Sequence, residues 1–283
     1  MVKHNVQNKS VLVVDSGVGG MTVVKAIRDL APALTITYIS DNACFPYGGM
    51  GADALITRIH FLVSHAIKAA PVDAVVIACN TASTVVLDQL RTSFSVPIVG
   101  VVPPIKTAGE ISRSRVIGLL ATEGTVRRQY VDSLIERFAH DCTVLRVQCP
   151  DLAPLAERKF RGRRIDRQRL RDCINPLMAP ELAAMDVVVL GCTHYPLLLD
   201  ELRQEFPPSV QWLDPALPVA RRLIDVLGAE NPNARPALAR PHDDVVYFTN
   251  DVPPFQSMNP RLTEIGFSRT AHWPNDAEIS VTA

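Results

Sequence analysis

Short apolar runs bounded by polar or turn residues recur along the chain, and between them apolar residues return at helical spacing. In the first half the runs predict strands at Val11 to Val14, Leu34 to Ile39, Ala74 to Ala78 and Pro97 to Val101, and the spaced patterns predict helices at Thr22 to Leu30, Ala52 to Ala69 and Ser83 to Phe94. Pro103-Pro104 interrupts, a short helical stretch covers Ile105 to Ile111, and the alternation restarts. Strands follow at Arg115 to Leu120, Thr143 to Val147 and Asp186 to Leu190, with helices near Thr125 to Ala139 and Asp166 to Ala184. After Leu213-Asp214 come a helix (Leu217 to Leu227), a Pro-rich link (Asn231 to Pro241) and a strand (Val245 to Thr249). Strands that are apolar throughout suit a parallel sheet covered on both faces. The fold class is therefore α/β: two similar doubly wound parallel-sheet domains facing each other across a central cleft. The expected boundaries are 1–103 plus 214–283 for a discontinuous first domain and 104–213 for the second.

Each half contains one apolar strand that closes on a cysteine followed by small polar residues. These are Val75-Val76-Ile77-Ala78-Cys79-Asn80-Thr81 and Val188-Val189-Leu190-Gly191-Cys192-Thr193-His194. Ligands of open α/β sheets bind beyond the carboxyl ends of the strands, so each thiol should stand at a cleft rim. Asp15-Ser16 precedes Cys79 by 64 positions and Thr122 precedes Cys192 by 70, a parallel that sets the thiols on opposite sides of one ligand.

Composition narrows the function. Twenty-nine basic residues balance 29 acidic ones, which gives no general attraction to nucleic acid or an anionic membrane. No apolar run reaches the length that spans a bilayer, and the opening Met1-Val2-Lys3-His4-Asn5 is polar. A small-molecule substrate and a cytoplasmic location are expected. Six cysteines without a CxxC pair read as free thiols in a reducing compartment, and Cys192 with His194 is too sparse for a zinc site, so no metal is expected. Cys44, Cys142, Cys149 and Cys173 read as small apolar fillers.

Two opposed thiols suit inversion of a stereocentre carrying an acidic proton, which needs a base on one face and an acid on the other. A thiol serves as either, because its ordinary pKa lies near working pH. The loop Asp15-Ser16-Gly17-Val18-Gly19-Gly20-Met21-Thr22 also offers a competing reading as a dinucleotide turn, with Asp41 as the ribose-binding acid. The third glycine of that motif would fall on Thr22, and the Asp15 carboxylate would repel a pyrophosphate. No lysine of the six ends a predicted strand, where a pyridoxal phosphate would be held, so no cofactor is expected.

Val14-Asp15-Ser16-Gly17-Val18-Gly19-Gly20, Phe45-Pro46-Tyr47-Gly48, Ala78-Cys79-Asn80-Thr81-Ala82-Ser83 and Leu190-Gly191-Cys192-Thr193-His194-Tyr195-Pro196-Leu197-Leu198 resemble the signatures of bacterial glutamate racemase, within the aspartate/glutamate racemase superfamily. Cys149-Pro150 through Pro154-Leu155-Ala156-Glu157 is similar to a further segment of that family. The resemblance implies cofactor-independent interconversion of L- and D-glutamate, the D-isomer feeding peptidoglycan synthesis. It implies that Cys79 takes the proton from D-glutamate and Cys192 from the L-isomer, with Asp15 assisting Cys79, and Glu157 and His194 assisting Cys192. Asp15, Ser16, Pro46, Tyr47, Gly48, Asn80, Thr81, Thr122, Thr125, Thr193 and His194 are the implied substrate contacts, and a homodimer is the implied assembly. Racemases or isomerases of aspartate, a hydantoin or maleate remain alternatives within the superfamily.

Plainer readings stand beside these. Asp15 could be only a helix N-cap, His194 an ordinary hydrogen-bonded histidine, and Glu157 a solvated acid paired with the run Arg158 to Arg164 that follows it. The longer basic segment Arg158 to Arg171 reads as a solvated face, with an anionic regulator at Arg163 and Arg164 as the bolder possibility.

Overall fold

The computed structural model describes residues 9–228, 244–250 and 255–274. The polar stretch at the N-terminus and the Pro-rich link from Asn231 to Pro241 lie outside these. The strands are β1 (Ser10–Asp15), β2 (Thr35–Ser40), β3 (Ala74–Ile77), β4 (Ile98–Gly100), β5 (Val116–Ala121), β6 (Thr143–Gln148), β7 (Val187–Gly191), β8 (Gln211–Leu213), β9 (Val245–Phe248) and β10 (Arg269–His272).

They form two parallel sheets, ordered β10-β9-β2-β1-β3-β4 and β6-β5-β7-β8. The run β2-β1-β3-β4 and the run β6-β5-β7-β8 have the same order, so the halves repeat one topology and the first is extended by β9 and β10. In each run the direction of winding reverses between its first strand in sequence and its third, at β1/β3 and at β5/β7. Such reversal points open a crevice beyond the strand ends.

Alternation along β1 explains the layering. Val11 and Val13 enter a core with Met21, Val24, Leu223 and Leu262 from the helices Met21–Leu30, Ala216–Gly228 and Phe255–Ile265. Leu12 and Val14 enter another with Leu55, Ile59, Val86 and Leu90 from Ala52–Ala69 and Asn80–Ser93. The second sheet is covered in the same manner, by Leu152–Phe160 and Arg167–Ile174 on one face and Ile105–Ile111 and Gln129–Phe138 on the other. Burial of one such Val, Leu or Ile stabilises by about 1.5–3 kcal/mol, so both faces contribute and neither tolerates charge.

Some expected elements differ. The helix foreseen from Thr125 to Ala139 is two, Glu123–Val126 and Gln129–Phe138, because Arg128 adopts an extended backbone (ψ 133°) between them. The helix foreseen from Asp166 to Ala184 ends as Arg167–Ile174, capped by the Asp166 carboxylate on the Gln168 and Arg169 amides. Pro176 and Pro180 then divert the chain into short 3-10 turns. The helix after Cys79 begins at Asn80 rather than Ser83, which makes Cys79 its N-cap residue.

Candidate active site

The carboxyl ends of β1 and β3 place Asp15 and Cys79 side by side at the first reversal point, and those of β5 and β7 do the same for Thr122 and Cys192 at the second. Both thiols are buried, at 8% and 7% exposure, yet they belong to the cores of different halves. Contacts between the two rims show that the crevices face each other. Val18 N–H donates to Glu157 Oε1 at 2.7 Å, and the Thr22 hydroxyl donates to the Thr193 carbonyl at 3.3 Å. The Thr81 hydroxyl lies 2.8 Å from that of Thr122 and 3.4 Å from that of Thr125, and Thr122 and Thr125 are 3.2 Å apart.

On the first rim Asp15 is wholly buried. Its Oδ2 accepts from Gly17 N–H at 3.2 Å and Gly20 N–H at 3.1 Å, which shapes the glycine loop around the carboxylate. Tyr38 supports the loop from below by donating to the Gly17 carbonyl at 2.8 Å. Asp15 Oδ1 has no partner within the protein. Burial raises the Asp15 pKa above its ordinary 3.8, against the opposing pull of His194 and the two amides. Burial likewise lifts the Cys79 thiol well above its ordinary 9.0, and the Asp15 charge adds to this. The Ala82 and Thr81 amides at the start of the following helix pull the other way. The charge of Cys192 also reaches Cys79 and raises it further.

On the second rim a relay runs behind Cys192. His194 Nδ1 stands 4.0 Å from Cys192 Sγ, and His194 Nε2 is 3.0 Å from Glu157 Oε1. Arg161, one helical turn beyond Glu157, donates to its Oε2 at 3.2 Å. Burial opposes a charge on His194, but its bonds to Cys192 and Glu157 and the nearby Asp15 outweigh this and set its pKa well above the ordinary 6.5. Burial also opposes the Glu157 carboxylate, yet His194, the Val18 amide and Arg161 hold its pKa below the ordinary 4.5. The two shifts agree: Glu157 and His194 form a buried ion pair aimed at Cys192. Two glycines admit that pair. A Cβ on Gly17 would come within 2.2 Å of Glu157 Oε1, and one on Gly19 within 2.3 Å of His194 Nδ1.

Tyr47 is buried, and its hydroxyl donates to Asp41 at 2.8 Å. Gly48 lies beside Thr122, and Pro46 is exposed at the outer edge of the same loop. Ser16, Asn80 and Thr193 are buried at the strand ends. Both polar atoms of the Asn80 side chain and the Thr193 hydroxyl lack partners within the protein. Buried groups of this kind are normally hydrogen-bonded, so their clustering with Asp15 Oδ1 marks where a polar ligand fits.

The competing readings fail on geometry. Asp41 cannot serve a ribose, because its carboxylate is held by Arg58, by Tyr47 and by Thr249. Glu157 occupies the Val18 amide of the glycine loop, which a pyrophosphate would need. Asp15 binds the loop amides but does not cap the helix Met21–Leu30. Glu157, at 8% exposure, is not solvated; of the basic run only Arg161 pairs with it, while Arg169 pairs with Asp151, Arg171 with Glu205 and Lys159 with Glu201. Among the described residues no group of His, Cys, Asp and Glu has the arrangement of a metal site, and no helix is long and apolar enough to cross a membrane. A cavity of about 610 Å³ on the far side of the helix Asn80–Ser93, lined by Arg91, Gly100, Tyr130 and Arg222 among others, contains neither thiol.

Phe45, Val18 and Gly19 lay within quoted motifs and Arg161 within the basic run beside Glu157, but no role was assigned to any of them individually, since the roles of Phe45, Val18 and Gly19 come from contacts between the halves.

Comparison with known proteins agrees with this geometry. The family model described as Asp/Glu/Hydantoin racemase matches residues 19–223. The glutamate racemase of Vibrio cholerae serotype O1 is 40% identical over 260 residues, covering 91% of this chain and 94% of its own. That of Brucella anthropi is 44% identical over 254 residues, covering 89% and 88%. The crystal structure of Escherichia coli glutamate racemase in complex with L-glutamate and the activator UDP-MurNAc-Ala superposes with a TM-score of 0.85 at 38% identity, covering 93% of this chain and 97% of that one. The topology, the paired strand-end thiols and these relatives converge, and the chain belongs to the glutamate racemases of the Asp/Glu/hydantoin racemase family.

Proposed function

We propose that the chain interconverts L- and D-glutamate by proton transfer between two thiols, without a cofactor, and so supplies D-glutamate for peptidoglycan synthesis. The observation that carries this is the placement of Cys79 and Cys192 at equivalent strand ends of two facing sheets, with Asp15 Oδ1, Asn80 and Thr193 unpartnered at the same strand ends. Starting from D-glutamate, the Cys79 thiolate takes the α-proton and becomes a thiol, while the Cys192 thiol donates its proton to the opposite face and becomes a thiolate. Starting from the L-isomer the roles exchange. Asp15 receives and returns the Cys79 proton, its raised pKa bringing it closer to the thiol it serves. The substrate ammonium, arriving beside Asp15, favours the Cys79 thiolate that burial disfavours. The His194 imidazolium, held by Glu157, steadies the charge left on Cys192.

Backbone amides at the start of the helix Asn80–Ser93, with Ser16, Asn80, Thr81 and Thr193, suit the substrate carboxylates, because a helix N-terminus favours anions. Tyr47, Pro46 and Gly48 are assigned to the same side of the pocket as Thr122 and Thr125, Gly48 lying directly beside Thr122. We assign 1–103 with 214–283 to the Cys79 domain and 104–213 to the Cys192 domain. Sheet membership supports this, as does the shared core of the helices Met21–Leu30 and Ala216–Gly228. Cytoplasmic residence is part of the proposal on the sequence reading and a homodimer on the resemblance alone, and sedimentation would read the assembly.

Each enantiomer incubated in deuterated water, followed by circular dichroism and by loss of the α-proton signal, tests the reaction. Optical activity should decay to zero from either side, with deuterium in the product. Absence of decay would refute it, and decay with aspartate but not glutamate would move the chain to another branch of the superfamily.

A further inference from the structure

The His194 ring belongs to the Cys192 half, yet the surfaces that flank it come from the other half. Phe45, in the loop after β2, lies 5.4 Å from it between ring centroids at a tilt of 49°, and packs on the apolar core of the Cys192 half. Gly19 approaches so closely that a Cβ there would stand 2.3 Å from Nδ1 and 2.7 Å from Cε1 and Cγ. The hydrogen bonds of the ring leave it one freedom. Nε2 is fixed on Glu157 at 3.0 Å, but Nδ1 meets Cys192 Sγ at only 4.0 Å, so rotation about the Glu157 contact would swing Nδ1 away from the sulfur. Gly19 and Phe45 are what oppose that rotation, and an aromatic face also suits a protonated imidazole.

We propose that Phe45, with the bare backbone of Gly19, forms a slot in the Cys79 half that holds the His194 imidazole on line with Cys192, which makes Phe45 a positioning residue for the Cys192-side proton transfer. This rests on the two-thiol reading above and adds a dependence between the halves. The proton partner of Cys192 is oriented only when the Cys79 half is seated against it, so proton transfer on that side is tied to closure of the cleft.

The consequence is directional. When donation from Cys192 slows, the carbanion formed from D-glutamate lives longer. The proton on Cys79 is then replaced by a deuteron from the solvent, which Cys79 delivers to the face the proton left. From L-glutamate the slow step comes first, and no such excess arises. In deuterated water, Phe45→Ala should lower racemisation by about ten- to a hundredfold, up to the loss expected when a catalytic group is misplaced by about 1 Å. Loss of the α-proton from D-glutamate should outrun racemisation by roughly threefold or more, while the two stay equal from L-glutamate. Phe45→Tyr, which keeps the ring, should restore wild-type behaviour. If Phe45→Ala does not fold, Phe45→Leu retains most of the apolar volume without the planar face and carries the same test. Exchange and racemisation falling in step from D-glutamate, an excess from L-glutamate instead, or wild-type rates in the variant would overturn the proposal. A wild-type protein that racemises neither enantiomer would instead overturn the reading beneath it.

Discussion

Replacing Glu157 with Gln keeps the side-chain shape and an acceptor for the Val18 amide but removes the charge that faces His194. Glu157 and His194 have side chains only 11% and 3% exposed, so solvent does little to screen their pairing at 3.0 Å. A hydrogen bond to a charged group in such surroundings contributes about 1.5–3 kcal/mol. Its loss lowers the His194 pKa. The sign for stability follows from both partners. The raised His194 pKa gives a stabilisation complete below pH 6.5 that is lost as pH rises through the folded-state value. The lowered Glu157 pKa gives one complete above pH 4.5 that is lost as pH falls through its folded-state value. The pair is therefore fully expressed between those limits. Urea unfolding near pH 6 should show the variant weaker by about 1.5–3 kcal/mol, with the gap closing as pH climbs through the His194 pKa. An NMR titration of the His194 ring protons locates that pKa in both proteins. A titration curve unmoved by the substitution, or a stability gap that widens with rising pH, would refute the buried ion pair.

Other outcomes follow from the same geometry. Cys79→Ser and Cys192→Ser should each lower racemisation by about 10²–10⁴-fold, the usual contribution of a positioned acid or base, while the remaining thiol still catalyses exchange on its own face; this is read by α-proton loss in deuterated water. Thr81→Val breaks the hydroxyl triangle with Thr122 and Thr125 between the halves, and should cost about 1 kcal/mol in unfolding and raise KM more than it lowers kcat. Asp186 accepts from the Ser112 hydroxyl at 2.7 Å and from the Arg113 and Ser114 amides at 2.7 and 3.0 Å; these bonds outweigh its partial burial and depress its pKa to about 2. Asp186→Asn should therefore destabilise at neutral pH, with the deficit shrinking as pH falls from about 4 toward 2 in acid unfolding curves.

Much of this was readable from residues alone. Apolar runs such as Val11 to Val14 and Val187 to Leu190 located strands because burial on both faces leaves no polar position to blur the pattern. The cysteines marked their ends. Less legible was the helix Leu152–Phe160, which carries Glu157. Its first turn carries Pro154, which a helix tolerates there but which leaves no helical signal at its start. The strands β8 and β10 are short and only partly buried, so they carry little periodic signal. Asp41 was misleading for a different reason. Its position after β2 fits a nucleotide site, and only the fold shows that Arg58, Tyr47 and Thr249 already occupy it. Contacts made across the two halves, such as Val18 with Glu157, Phe45 with His194 or Thr22 with Thr193, join residues up to 171 positions apart with no pattern linking them.

The pairing of β2 with β9 bears on how the chain is made. Thr37 lies against Val245, so that edge of β2 waits for a segment synthesised 208 residues later. All the strands of the other sheet, from Val116 to Leu213, emerge in between. On the ribosome the Cys192 half is thus complete while the Cys79 half still has an open sheet edge, which in a nascent polypeptide invites pairing with strangers. The part translated last seals the part translated first.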